Sequence, residues 1–508
     1  MLITWDYNWR PRQDSNLRHR LRRPVLYPLS YGGGRCPYRC ALPRIQGDDR
    51  SRRTRDPASP GRTAAHAAVS CISMSVDHDL ATAPLERDLL PRTAEVDEKG
   101  HLHVGGIDLL ELAEQFGTPL FVYDEEHLRQ ACRDAVSAWG DGVAYATKAF
   151  LCRAMARLAH EEGLHLDVAS GGELHVALSA GVPAERLILH GNNKSTQELA
   201  AALDAQVGRI VIDSFDEVAR LGGLLESSPA ASRRPRALVR VTPGVEAHTH
   251  EFVRTGQEDS KFGFSVSSGA AAEAVAALEL LPGVELLGVH AHIGSQVFDA
   301  SSFEQAAEVL GSFFAPLGLA ELVVGGGLGV PYVNGERAPS QLEWAEATRA
   351  ACAKAGVDPS TRVSAEPGRS IVAAAGITLY SVGTVKHLPG IRTYVSVDGG
   401  MSDNPRPVLY GSGYEAFLPR SVGARRPRPV RVVGKHCESG DLVVPDAFVP
   451  EDLEVGDVLA TPVTGAYGYS MASNYNKVPR PAVLFVRDRT ARVVVRRETF
   501  EDLTRLDA

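Results

Sequence analysis

No stretch of the 508-residue sequence approaches the roughly 20 consecutive apolar residues that a membrane-spanning helix needs. Its first residues, MLITWDYNWR, lack the basic-then-apolar plan of a secretory signal. Cysteine is scarce: there are seven, an odd number, and apart from Cys36 and Cys40 they stand far apart. That one close pair, with no companion Cys/His pair, is a weak metal signal, so no metal is expected. Free thiols in a reducing compartment fit better than a disulfide framework, and the expected location is the cytoplasm. Apolar residues at 44% and charged residues at 23% are ordinary globular usage, which excludes a fibrous or largely disordered chain.

Lysine is missing altogether from residues 1–73, which hold 14 arginines against 5 acids, a net +9. The other 435 residues carry 40 basic and 57 acidic groups, a net −17. An arginine-rich arm suggests nucleic-acid binding. The stretch RPRQDSNLRHRLRRPVLYPLSYGGG has no helical period, however, and resembles translated non-coding sequence at an over-extended gene start. Met74, opening MSVDHDL, is then the expected native start, and no nucleic-acid partner is expected.

From residue 120 to 385, short apolar or β-branched runs alternate with stretches of helical period such as STQELAAALDAQ and SFEQAAEVLGSFF. After the lead-in LFVYD come eight such runs: VAYATK, LHLDVAS, RLILHG, RIVID, ALVRVTP, LLGVHAHIG, ELVVGGG and RVSAEPG. Eight successive βα units close most readily into a (β/α)8 barrel with its active site at the C-terminal ends of the strands. Beyond residue 386 the pattern turns to strands with Gly/Pro turns (RTYVSVDGG, RPVRVVGKHC, GDVLATPVTG, PAVLFVRDRTARVVVRRE). The expected fold is α/β plus all-β, a TIM-like barrel with a second β-barrel or sandwich domain. Its expected parts are the 1–73 extension, non-native or disordered; 74–119, contributing to the β domain; the barrel over 120–385; and the β domain over 386–508.

The unusual residues stand at the strand ends: Lys148, Ser170, Asn192, His292 with Ser295, Gly325–Gly327, and Glu366 with Arg369. A lone strand-end lysine is more often a salt-bridge partner, and a lone glycine triplet is explained equally well by a turn. Together they suggest a phosphorylated aldehyde cofactor. The GGGLG and EPGRS loops follow strands seven and eight, where barrels often build a phosphate site. Pyridoxal phosphate needs a lysine to link to its aldehyde, an acid facing the pyridine nitrogen and a phosphate cradle. Lys148, Glu366 and the Gly325–Gly327/Arg369 group supply these. A carboxylate at the ring nitrogen favours a strong electron sink, as decarboxylation requires.

Ten motifs then occur in order: YATKAF, DVASGGEL, HGNNKS, PGVEAHTHEF, HAHIGSQ, GGGLGVPY, AEPGRS, DGGMSDNPRPVLYG, GKHCESGD and GAYGYSMASNYN. On these the sequence, from about residue 80 to its end, resembles the diaminopimelate decarboxylases, of the ornithine/diaminopimelate/arginine decarboxylase family with the alanine-racemase-like fold. The resemblance implies Lys148 as covalent anchor of pyridoxal phosphate and His292 stacked on its ring. Ser295, Gly325, Gly326, Gly327 and Arg369 are implied near the phosphate, Glu366 at the ring nitrogen, and Pro367, Gly368 and Tyr467 among the residues that hold the cofactor. It puts Arg369, Arg406, Tyr410, Glu438 and Tyr467 on the substrate. It also implies a homodimer in which the GKHCESGD segment of one chain completes the site of the other. His290, His248 and His250 read as solvated or packing residues, and Asp167 as a helix cap or an orienting group.

Cys437 lies in a polar, Gly-bounded stretch unlike a core strand. An ordinary thiol titrates at about 8.5, close enough to neutrality to return a proton to a carbanion, which makes Cys437 the expected donor. In the relatives that act on ornithine an acid follows the tyrosine of the LY pair to hold a distal amine; here Gly411 follows Tyr410. Arg406 offers a fork for a distal carboxylate instead, which meso-2,6-diaminopimelate has and ornithine lacks. The expected reaction is decarboxylation of meso-2,6-diaminopimelate to L-lysine and carbon dioxide. The alternatives are a decarboxylase of the ornithine or arginine type, a racemase, or a non-catalytic pyridoxal phosphate-binding protein. Racemases of this fold oppose the ring nitrogen with arginine, where this chain has Glu366.

Overall fold

The structure, a computed structural model, describes residues 78–227, 234–244 and 259–508. The 1–73 extension and most of PGVEAHTHEF, with His248 and His250, lie outside the described residues. Eight parallel strands form one sheet in chain order: Ala144–Ala146, His165–Val168, Leu187–Leu189, Arg209–Ile212, Arg236–Thr242, Glu285–His290, Glu321–Val323 and Arg362–Ser364. Each overlaps one of the eight runs expected from sequence. The last returns to the first through two backbone hydrogen bonds, Ala144 N to Ala365 O (3.0 Å) and Ala146 N to Pro367 O (3.1 Å), closing the barrel.

Helices follow the strands and cover the barrel. Their starts are encoded locally: Ser195 with Glu198 and Ser340 with Glu343 form reciprocal capping boxes, and Asp124, Ser170 and Asp299 accept from first-turn amides. Such caps contribute about 1 kcal/mol each. Alternation along the strands sends one set of residues outward against the helices and the other inward. Ala144, Ile188, Val211, Leu238 and Val323 form a separate buried cluster that fills the barrel interior. At the strands' N-terminal ends, Arg209 grips Glu321 through two bonds (2.6 and 2.8 Å), and Arg362 reaches the same carboxylate. Burying Arg209 and Glu321 is tolerable because they are paired in this bidentate way. One mouth of the barrel is thus closed by ion pairs, leaving the other for a site.

A second sheet runs Leu442–Val449, Arg428–Val433, Arg392–Val397, Gly376–Leu388, Leu120–Asp124, Ala482–Arg487, Thr490–Val495, with Val458–Thr461 also paired to Gly376–Leu388. LFVYD, the lead-in to the barrel segment 120–385, therefore belongs to this sheet, antiparallel to Gly376–Leu388 and parallel to Ala482–Arg487. The first ten residues of Gly376–Leu388, also within 120–385, belong to it too. A five-residue strand buried along its whole length looks alike in either sheet, so its sequence does not reveal its partners. Stacking of Tyr123 on Phe150 (4.4 Å between centroids) joins this sheet to the loop after the first barrel strand.

Candidate active site

The first barrel strand ends in a tight turn, Thr147–Ala149, that carries Lys148. Thr147 is buried and its hydroxyl donates to the Asp167 carbonyl (2.7 Å), which leaves the Lys148 side chain the freedom to enter the open mouth. The Ala149 carbonyl accepts from Tyr467 N (2.8 Å), so a loop of the second sheet is drawn to the same place. The cavity there has a volume of about 780 Å³, and Lys148, His292, Ser295, Glu366, Arg369, Arg406, Tyr410 and Tyr467 all line it.

The glycine run after the seventh strand allows three loops to approach. Gly325 has φ +75°, and a Cβ there would lie 2.3 Å from the Ala291 carbonyl. At Gly326 and Gly327 a Cβ would meet the carbonyls of Glu366 and Gly294 at 2.5 and 2.6 Å. Gly326 and Gly327 line the cavity; Gly325 supports them from behind. Gly326 N donates to His292 Nδ1 (3.0 Å), which places the ring's proton on Nε2. Burial and the neighbouring Lys148 push the His292 pKa well below its ordinary value, so the ring is neutral. Arg369, buried, donates to Ser295 Oγ (2.8 Å) and to the Tyr332 hydroxyl (2.7 Å), and its guanidinium lies 4.8 Å from the Tyr467 ring. Gly368 also lines the cavity, whereas Pro367 does not and serves barrel closure through its carbonyl.

Glu366 is buried in the cavity wall. Its Oε2 accepts from His290 Nε2 (2.8 Å), and its Oε1 lies 3.0 Å from His190 Nε2 without the alignment of a hydrogen bond. Burial alone would raise the Glu366 pKa, but the facing imidazoles of His190 and His290 reverse that and hold it well below the carboxylate range. Burial lowers His290 to about 4 and raises Asp167 to about 6. Glu366 is thus an anion with one buried oxygen still without a hydrogen bond, at the wall of a cavity that also holds Lys148, a glycine cradle, Ser295 and Arg369. That set fits pyridoxal phosphate: an acceptor for a protonated ring nitrogen, an amine for the aldehyde, and donors for a phosphate.

Arg406, also in the cavity lining, opens the short helix Arg406–Tyr410, is 5% exposed, donates to the Tyr414 hydroxyl (2.8 Å) and stacks 4.7 Å from the Tyr332 ring. Gly411 ends that helix at φ +60°, a left-handed cap. Cys437 is exposed, and neither it nor Glu438 is among the residues lining this chain's cavity. Their loop is tied at its base: the Asp441 carboxylate accepts from His436 N (2.8 Å), His436 Nδ1 (2.9 Å) and Met401 N (2.7 Å). Cys437 N donates to Asn476 Oδ1 (2.8 Å).

Some expectations need revision. His290 is neither solvated nor a packing residue; it is buried and bonded to Glu366. Asp167 caps no helix, since Ser170 does so, and instead faces His190 at 3.6 Å. Asn192 does not line the cavity, whereas His190 and Arg240 do. His190 directly follows a barrel strand, a signal the sequence carried, whereas Arg240 lies within the fifth strand, two residues before its end. Tyr332 and Tyr414 were missed as partners of the two arginines, although Tyr332 stands in the GGGLGVPY motif.

The pattern of the pyridoxal-dependent decarboxylase family, pyridoxal binding domain, matches residues 125–373. Diaminopimelate decarboxylase of Bacillus subtilis is 46% identical over 434 residues, 82% of this chain and 97% of that protein. Its counterpart in Mycobacterium tuberculosis strain H37Rv is 48% identical over 450 residues, 83% and 98% of the two chains. Among solved structures, diaminopimelate decarboxylase from M. jannaschii in complex with L-lysine aligns with a TM-score of 0.76 at 33% identity, covering 82% of this chain and 98% of that one.

Proposed function

The chain belongs to the diaminopimelate decarboxylase family, and we propose that the cavity around Lys148 is where meso-2,6-diaminopimelate loses one carboxylate as carbon dioxide to leave L-lysine. The protein is a pyridoxal phosphate-dependent carboxy-lyase of lysine biosynthesis. The cofactor, when bound, supplies a ring that accepts the electron pair left by the departing carboxylate. What carries the assignment of residues is the meeting in one cavity of Lys148, the ionised Glu366 and the Ser295/Arg369 pair.

In this reading Lys148 holds the cofactor's aldehyde, His292 lies on the ring, and Glu366 accepts from the ring nitrogen. Ser295, Gly326, Gly327 and Arg369 take the phosphate. Arg406, with Tyr410 at its side, pairs with the carboxylate that stays on the substrate. That pairing selects diaminopimelate over ornithine, which has no second carboxylate. Cys437 and Glu438, exposed and away from their own chain's cavity, serve the cavity of a second copy, where the Cys437 thiol returns a proton to the substrate carbon. The active species is then a homodimer with two shared sites. Four cysteines among the described residues are free, which agrees with a reducing cytoplasm. No described helix is long and apolar enough to cross a membrane.

The test is turnover by the purified protein supplied with pyridoxal phosphate. Lysine and carbon dioxide should form from meso-2,6-diaminopimelate, with ornithine a poor substrate. Efficient ornithine decarboxylation would overturn the role given to Arg406, and absence of lysine formation by folded, cofactor-loaded protein would overturn the function.

A further inference from the structure

Glu366 is buried in the barrel mouth with an unusual set of neighbours. His190 follows the third strand and His290 ends the sixth, and both present Nε2 to the carboxylate, one to each oxygen, at 3.0 and 2.8 Å. Their rings meet edge to face with centroids 4.8 Å apart. Asp167, near the end of the second strand, brings its Oδ1 to 3.6 Å from the same His190 Nε2. The other charged or titratable groups facing this cluster are Arg240 from the fifth strand, His292 from the loop after the sixth, Lys148 from the turn after the first, and Glu173 from the helix Gly171–Ser179 after the second. Four polar groups within a few ångströms of one another, all nearly inaccessible, are an expensive way to fill space, because each must be desolvated. Apolar side chains would pack the same volume without that cost.

We infer that His190 and His290 are positioning residues whose joint grip keeps the Glu366 carboxylate ionised and fixed in place at the wall of the cavity. The two do so differently. His290, neutral, donates from Nε2 to Oε2 and fixes the plane of the carboxylate. His190 presents its Nε2 to both Glu366 Oε1 (3.0 Å) and Asp167 Oδ1 (3.6 Å), and these two carboxylates raise its pKa above the ordinary imidazole value against the opposing effect of burial. A carboxylate oxygen has room for that contact and for a further donor. When the cofactor is bound, this carboxylate would be the acceptor for its ring N–H. This deepens the proposed function, since it rests on Glu366 serving the ring nitrogen.

The experiment uses holoenzyme loaded with pyridoxal phosphate labelled with ¹⁵N in the ring, reading that nitrogen's chemical shift at pH 7.5 and the rate of cofactor loss on dialysis. A packing role would move neither. His290→Leu should shift the resonance toward the unprotonated position and speed cofactor loss about tenfold or more, the range for deleting a hydrogen bond to a charged group. His290→Gln, whose amide N–H reaches about as far as Nε2, should restore most of both. Where the leucine variant does not fold, His290→Asn, too short to reach Glu366, carries the same expectation. Glu366→Gln is the control. If it shifts the resonance while His290→Leu and His290→Asn leave wild-type values, the positioning inference is overturned and Glu366's own assignment stands. If Glu366→Gln leaves the resonance unmoved, the assignment of Glu366 to the ring nitrogen falls, and this inference with it.

Discussion

Replacing Arg406 by alanine tests which end of the substrate the cavity recognises. The guanidinium is 5% exposed, tied to the Tyr414 hydroxyl at 2.8 Å and stacked on Tyr332, so it meets a carboxylate already oriented and largely desolvated. Truncating one partner of such a pair costs about 2–5 kcal/mol. At about 1.4 kcal/mol per factor of ten, binding should weaken by about 30-fold to several thousand-fold. The recognised carboxylate is the one retained in the product, so the loss is read most cleanly with L-lysine, which keeps that group, and cadaverine, which is lysine without it. In wild-type enzyme both are assayed as competitive inhibitors of diaminopimelate turnover. In Arg406→Ala the inhibition constant for L-lysine should rise by the factor above, and that for cadaverine should change by less than about threefold, since it loses no charge pair. Equal weakening of both ligands would mean that alanine has merely disordered the cavity. No weakening of either would remove Arg406 from the site.

Further outcomes follow from other residues. Lys148→Ala and Cys437→Ala should each be nearly inactive alone, while mixing the two with subunit exchange should restore roughly a quarter of wild-type turnover, because about half the dimers are mixed and each has one intact site of two. No recovery after confirmed exchange would refute the sharing of residues between chains. Asp403, which accepts from the Tyr380 hydroxyl (2.6 Å) and Gly400 N (2.8 Å), is pushed by burial from 3.8 to about 7. Its folded form holds the proton more tightly than the unfolded one, so its contribution is intact below pH 3.8 and is lost as pH rises to about 7. Asp403→Asn should therefore raise the thermal midpoint at pH 8 by several degrees and by much less at pH 5, and the reverse order would contradict the burial argument. Removing residues 1–73 should leave turnover and solubility intact, since relatives match 97–98% of their own length against 82–83% of this chain. A large loss of active protein on truncation would refute that.

The barrel was legible because each strand is a short apolar run and the chemistry sits where the run stops: Lys148, His292 and Glu366 each stand two residues beyond the last residue of a strand. Arg406 was legible through the company of Tyr410 and Gly411. Partnership across the fold was not. Nothing in LFVYD says that it will pair with residues 376–379 and 482–486 rather than with its neighbour in the chain. His290 looked ordinary because a histidine's role depends on what its ring faces, and Glu366 is 76 positions away. The bond between Arg369 and Tyr332 likewise exists only once strands seven and eight lie side by side.

The placement of Leu120–Asp124 in the second sheet also sets a timetable for the nascent chain. This strand, buried along its whole length, leaves the ribosome about 250 residues before the strand Gly376–Leu388 that flanks it, and further still before Ala482–Arg487 on its other edge. At roughly 5–20 residues per second, a hydrophobic edge waits on the order of ten seconds or more for its first partner and longer for its second. The barrel can assemble in the interval, but a fragment ending at its last strand would carry Leu120–Asp124 with both edges unpaired, a template for aggregation. Chaperone dependence during synthesis, and insolubility of a barrel expressed without residues 376–508, are what this interleaving of chain and sheet entails.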